Sequence, residues 1–172
     1  MLTNSAIEKY FTGEKNESRV FLLIGLAAIL VSIVELMVWG TLFWKGASIP
    51  LILVGLIQVS VGYTIYKRSE GDNDRVITAL ENDPASIQTK ELPRMKVVNK
   101  NFSFIRYVEI MLIGAGIILV GLFNRDRWDN PFWFGAGIAL TVQSAIMLLA
   151  DYFAEKRALI YTRELEDFCR KK

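Results

Sequence analysis

Apolar residues are gathered in four long blocks instead of being spread evenly along the chain. The blocks cover residues 20–44, 46–66, 108–123 and 131–150, and none of them holds more than one charged side chain. An α-helix rises about 1.5 Å per residue, so about 20 apolar residues cross the hydrocarbon layer of a membrane. The pattern therefore predicts an all-α membrane protein with four transmembrane helices.

The four blocks fall into two hairpins, which predicts an up-down-up-down bundle. The first hairpin is expected at residues 19–66, with a tight turn at residues 45–47, and the second at residues 102–151. The helices are expected at about residues 20–44, 46–66, 104–123 and 131–151. Asn130 is expected to cap the fourth helix and Pro131 to open it, as these residue types often do.

Three polar segments surround the hairpins. Residues 1–18 are amphipathic, residues 67–101 form a mixed-charge loop, and residues 152–172 continue with apolar positions at helical spacing. Within the loop we expect a short helix that starts near Asp72 and ends before the Asp83–Pro84 pair, because a residue before proline disfavours helix. The apolar faces of these segments are expected to lie on lipid or on a partner.

The basic residues are unevenly placed, which predicts an orientation. Of the 20 lysines and arginines, sixteen lie in the three polar segments or at residue 19, Arg106 lies near the start of the third helix, and only Lys45, Arg125 and Arg127 lie at the two short turns. The positive-inside rule then places both termini and residues 67–101 in the cytoplasm. The four tryptophans lie near the opposite ends, at Trp39, Trp44, Trp128 and Trp133. We expect a bacterial inner membrane, because the outer turns are short.

The two hairpins resemble each other in sequence. Residues 22–31, LLIGLAAILV, recur as MLIGAGIILV at residues 111–120, an offset of 89 positions. The similarity suggests a tandem duplication in which both copies run in the same direction. Because apolar helices resemble one another easily, chance similarity is the alternative.

Composition removes many kinds of chemistry. The chain has no histidine and a single cysteine, Cys169, so imidazole or thiolate metal sites and an internal disulfide are not expected. We found no phosphate-binding loop or nucleophile motif, and we expect no cofactor, no metal, no catalytic residue and no nucleic-acid partner. A lipid-modifying enzyme would have only Glu35, Glu109 and Asp151 as acids or bases.

Two groups of polar residues lie within or beside the predicted spans. Glu35, Gln58, Gln143 and Ser144 are expected at similar depths near the middle of the membrane, where they would relay a proton, hold a cation, orient a lipid headgroup or join helices by hydrogen bonds. At the inner edge, we expect the candidate cluster Arg106, Glu109 and Asp151 to form ion pairs.

Two functions follow as hypotheses. The first is a non-enzymatic integral membrane scaffold or accessory subunit that binds a membrane or cytoplasmic protein through its polar segments. The alternative is a small oligomeric ion channel or proton-coupled carrier that uses the polar layer around Glu35. In both cases we expect the lipid bilayer, anionic lipid at the inner leaflet and a second copy of the chain, in a dimer, as partners.

Overall fold

The computed structural model describes residues 2–124 and 129–170, and all regular structure in these residues is helical. Residues 125–128, which include Trp128, and residues 171–172 lie outside the described residues. The helices are α1, Asn4–Val34, followed by a π-helical turn at Glu35–Trp39; α2, Leu42–Asn82; α3, Leu92–Phe123, preceded by a π-helical turn at Ile87–Glu91; and α4, Pro131–Arg170. Thr3 caps α1 by accepting a hydrogen bond from the Ala6 N–H at 3.2 Å.

All four helices are long and apolar enough to cross a membrane, which confirms the all-α class and the prediction of four helices of membrane-spanning length. Including the π-helical turns, they contain 36, 41, 37 and 40 residues. At 1.5 Å per residue they are about 54–62 Å long, roughly twice the thickness of the hydrocarbon layer. A large part of each helix must therefore lie outside any membrane that it crosses.

The predicted turn at residues 45–47 is wrong, because the first turn lies at Gly40 and Thr41. Gly40 has a φ of 56° and its N–H donates to the Glu35 carbonyl oxygen at 3.1 Å. This left-handed conformation favours glycine and ends the π-helical turn. Gly46 instead lies inside α2, where its backbone contacts Phe132.

The polar segments are continuations of the long helices. The prediction of a separate short helix that starts near Asp72 is wrong, because α2 runs without interruption to Asn82. The expected end before Asp83–Pro84 is confirmed, and α4 begins at Pro131 as predicted. Residues 4–19, 92–103 and 151–170 likewise belong to α1, α3 and α4.

The helices pack in a defined order. α1 packs on α2, α2 on α4, and α4 on α3, and α1 also contacts α4. Glycines mark the close contacts. A Cβ atom placed on Gly25 would lie 2.7 Å from the Gly55 carbonyl oxygen, and one on Gly116 would lie 2.8 Å from the Gly137 carbonyl oxygen. Larger side chains would force these helices apart.

The molecule has two parts of different character. We call residues 20–66 and 104–150 the apolar half, and residues 2–19, 67–103 and 151–170 the polar module. The hydrophobic core lies in the polar module, where the two ends of the chain meet the connection between α2 and α3. Its buried members are Leu2, Ile7, Tyr10, Phe11, Val76, Ile87, Met95, Ala158, Tyr161 and Leu165.

Candidate functional site

Two glutamines join the centre of the apolar half. Gln143 Nε2 donates to Gln58 Oε1 at 2.6 Å, which links α4 to α2. Both side chains are buried, as is the neighbouring Ser144. Among the described residues, Gln58 Nε2 and Ser144 Oγ have no hydrogen-bond partner. The structure thus brings together three of the four residues that we expected near the middle of the membrane.

Glu35 lies away from these glutamines. Gln58 sits at the level of Gly25, since a Cβ atom on that glycine would be 2.8 Å from Gln58 Cβ. Glu35 is ten residues farther along the same helix, a rise of about 15 Å. The expected common layer is wrong for Glu35, because the turn at Gly40 places this residue close to the hairpin end. It is buried, and its Oε2 has no partner among the described residues.

The expected ion pairs at the inner edge take a different form. Arg106 pairs with Glu155 of α4 and not with Glu109 or Asp151. Glu109 is buried, and the polar group beside it is the Asp151 carboxyl. An arginine on α3 therefore reaches one turn farther along α4 than sequence spacing indicated, and two carboxyl groups are left facing each other.

The polar module contains a charge network that the sequence did not predict. Glu91 is buried and accepts hydrogen bonds from Arg94 at 2.6 and 2.8 Å and from the Tyr161 hydroxyl at 3.3 Å. Arg75 lies 3.6 Å from Glu91 and 3.0 Å from Asp72. This set of charges ties α2, α3 and α4 together at their polar ends.

A second buried carboxylate, Glu14, connects α1 to α2. It accepts a hydrogen bond from Ser69 at 2.9 Å and lies 3.5 Å from Arg68. Partial burial strengthens such pairs, because fewer water molecules screen the charges. The network therefore fixes the direction in which α1 leaves the apolar half.

Two stacked tyrosines lie between these carboxylates. The rings of Tyr10 and Tyr161 are 4.2 Å apart and nearly parallel, and Phe11 packs edge-on against both. Burial raises the pKa of each tyrosine well above its usual value, and the nearby carboxylates Glu14 and Glu91 add to the effect. Both hydroxyl groups therefore stay protonated at neutral pH.

A groove runs along the outside of the polar module between the start of α1 and the end of α4. Its volume is about 680 Å³. The exposed side chains of Phe153 and Ile160 provide its apolar surface, and Lys9, Lys156 and Glu164 are among its charged residues.

The apolar residues that form the core of the polar module are visible in the sequence as apolar helix faces, but the sequence does not show what covers them. Ile7, Tyr10 and Phe11 share one helix face, and Leu165 belongs to an apolar stripe on α4. We expected these faces to lie on lipid or on a partner, whereas they pack on each other. Because the contact joins residues more than 150 positions apart, local periodicity alone does not reveal it.

Comparisons with known proteins add no information on function. No model of a protein family, no curated protein and no solved structure matches the chain.

Proposed function

We propose that this protein is a non-enzymatic integral membrane scaffold or accessory subunit. Its four spans follow an up-down-up-down order, and the polar module lies in the cytoplasm with both termini. A protein partner binds the module, which is joined to the spans by uninterrupted helices. Movement or recruitment of the partner is thereby coupled directly to the membrane.

Charge and surface composition support this placement. The polar module and the terminal residues hold most of the basic side chains, as the cytoplasmic side of a membrane protein should. Only 11% of the most apolar stretch of α3 and 22% of that of α1 is buried within the molecule, so lipid would cover the remainder. A bacterial inner membrane stays a prediction from the short outer turns.

The observation that carries the proposed function is the groove between α1 and α4. Ile160 and Phe153 are 51% and 55% exposed there, although the rest of the apolar surface in the polar module is largely used for its own core. Concave apolar surfaces rimmed by charge are typical binding sites. A helix or peptide with apolar side chains and both signs of charge would fit this surface.

A tandem duplication is part of the proposal. Gly46 contacts Phe132, and Gly135 contacts Phe43. Adding 89 to the numbers of Phe43 and Gly46 gives Phe132 and Gly135, so one contact is the repeat of the other at the offset seen in the sequence. An axis between α2 and α4 that exchanges the two hairpins explains this reciprocity. We further propose a dimer formed through the exposed apolar faces.

The test is site-specific photo-crosslinking in native membranes. A photoreactive residue at position 160 should capture one protein in stoichiometric amount, and Ile160→Glu should abolish its co-purification. Position 97 on α3 is the matched control, because Val97 is 58% exposed but lies outside the groove. Equal capture at both positions, or none at position 160, would contradict the proposal.

Deleting the end of α4 would not give a clear answer. Residues 156–170 include Ala158, Tyr161 and Leu165, which are buried in the core of the polar module. Their loss would unfold the module and remove any partner indirectly. A single surface substitution such as Ile160→Glu leaves that core intact.

The transport alternative has weaker support. Glu35 is separated from the glutamine pair, and glycine contacts bring α1 close to α2 and α3 close to α4. A channel would then need an interface between copies of the chain. Flux of protons or ions through liposomes that is lost in Glu35→Gln would restore this alternative.

A further inference from the structure

A second cavity lies between α3 and α4, where the apolar half meets the polar module. Its volume is about 540 Å³, within the range of small-molecule sites. Phe102, Ile110 and Leu148 contribute apolar walls, and Glu109 and Asp151 lie among them. The cavity therefore combines a large apolar surface with the carboxyl groups of Glu109 and Asp151, while a third carboxyl in its lining, that of Glu155, pairs with Arg106.

Glu109 is a buried carboxyl group without an N–H or hydroxyl donor among the described residues. It is 1% exposed, and within the described residues neither of its carboxyl oxygens accepts a hydrogen bond from an N–H or hydroxyl donor. Its one partner in the described part of the chain is another carboxyl, that of Asp151, and a hydrogen bond between two carboxyl groups forms only when one of them is protonated. Arg106, the basic residue lining the cavity, is already paired with Glu155. Buried acceptors without donors are rare and costly.

We propose that this cavity binds the primary ammonium group of an amphiphile. The ammonium would donate hydrogen bonds to the carboxyl oxygens of Glu109 and Asp151, and the apolar chain would follow Ile110 and Leu149 toward the lipid-facing surface. This site depends on the membrane placement proposed above but not on the scaffold role, because it lies apart from the groove on the module.

The unpartnered oxygens select the chemistry of the ligand. A primary ammonium group carries a positive charge and three N–H donors, whereas a quaternary ammonium group carries the charge alone. Within the described residues, no set of three or more acidic, cysteine or histidine side chains is placed to hold a metal ion. The apolar walls also favour a ligand with a hydrocarbon chain over a small soluble cation.

The experiment compares two amphiphiles with the same tail. The full-length protein in phosphatidylcholine nanodiscs is titrated with dodecylamine and with dodecyltrimethylammonium at neutral pH, and binding is measured by calorimetry against empty nanodiscs. We expect dodecylamine to bind saturably and dodecyltrimethylammonium to bind with an affinity at least about tenfold lower. A tenfold difference is the size expected for the loss of one hydrogen bond to a charged group. Equal uptake of both compounds would overturn the proposal.

Variants separate the site from general partitioning into lipid. Glu109→Gln and Asp151→Asn should each weaken dodecylamine binding, while Asp167→Asn, an exposed carboxylate on the same helix in the polar module, should not. If Glu109→Gln fails to fold, Leu148→Trp keeps both carboxyl groups but fills the cavity, and it should also abolish binding. Unchanged binding in Leu148→Trp would contradict the proposal.

The same chemistry has two possible sources, an ethanolamine phospholipid or a free alkylamine. Native mass spectrometry after reconstitution in mixed phosphatidylethanolamine and phosphatidylcholine distinguishes them. Selective retention of phosphatidylethanolamine, lost in Leu148→Trp, identifies a lipid headgroup. Dodecylamine binding without such retention identifies a free amine. Selectivity for neither compound would overturn the assignment.

Discussion

The apolar half and the polar module contain the same four helices but are held together by different means. In the polar module, large side chains such as Tyr161, Phe11 and Met95 are fully buried around a common core. In the apolar half, the buried residues are mostly glycine, alanine, serine and glutamine, and large apolar side chains face outward. One chain thus uses two kinds of packing in succession.

The difference agrees with the proposed membrane placement, in which lipid surrounds the apolar half and water surrounds the polar module. In water, burying large apolar side chains drives association. In lipid there is no such driving force between helices, so small residues that allow backbone contact, and a few polar groups, join them. The two parts should therefore respond differently to the same kind of substitution.

The largest effect is expected for Leu165→Ala in the polar module. Leu165 is fully buried in the core, so its truncation should lower the free energy of unfolding by about 2–5 kcal/mol. Leu159→Ala, at a half-exposed position on the same helix, is the control and should have a much smaller effect. Chemical denaturation followed by tyrosine fluorescence measures both. Equal effects would show that the core described for the module is wrong.

A glycine contact in the apolar half should be the next most sensitive position. Gly116→Val places a side chain against the backbone of α4, and overpacking of this kind should cost about 1–3 kcal/mol. Gly114→Val is the matched control, because a Cβ atom at Gly114 has no neighbour within 4 Å. Thermal stability of both variants in the same detergent distinguishes them. A comparable loss in Gly114→Val would contradict the packing.

High pH should destabilise the polar module. Burial raises the pKa of Tyr10 and Tyr161 in the folded state, so the unfolded chain releases these protons first as the pH rises above about 10. Stability is therefore retained below that pH and falls above it, by about 1.4 kcal/mol per pH unit for each tyrosine. In the double variant Tyr10→Phe/Tyr161→Phe, the free energy of unfolding measured by chemical denaturation should decline less steeply between about pH 9 and 11. Tyr107→Phe is the control and should leave the decline unchanged.

The smallest effect is expected for the glutamine pair. Hydrogen bonds between helices in membranes contribute about 0.6 kcal/mol on average, so Gln58→Leu and Gln143→Leu should each have a modest effect. A double-mutant cycle on thermal unfolding isolates the coupling. We expect a favourable coupling energy of this size, and strict additivity would show that the 2.6 Å contact contributes nothing.

Much of the architecture could be predicted from the sequence, because four apolar blocks of sufficient length leave few alternatives. The first turn could not. Gly40 and Gly46 are both suited to a turn, and apolar residues continue past Gly40 to Trp44. Only the fold shows that Gly40 adopts the left-handed conformation and that Gly46 contacts Phe132.

The contacts of the candidate residues could likewise be predicted only in part. Gln58 and Gln143 were expected at similar depths in α2 and α4. They form a hydrogen bond because these two helices run side by side. The depth of Glu35 was measured from the wrong turn. Arg106 pairs with Glu155 of α4, a choice of partner that residue spacing along α3 does not specify. The repeat in the sequence likewise aligns Gly25 with Gly114, whereas Gly116 makes the contact.

The most direct test of the account is to measure, by cysteine labelling, whether water or lipid surrounds each half. With Cys169→Ser as background, single cysteines are introduced as Met111→Cys in the apolar half, Val97→Cys in the module and Asn130→Cys at the outer turn. Met111 and Val97 are 73% and 58% exposed, so without a membrane both should react with a water-soluble maleimide. In sealed vesicles we expect no reaction at position 111, and reaction at positions 97 and 130 from opposite sides. Labelling at position 111 in the vesicles, or of positions 97 and 130 from the same side, would contradict the account.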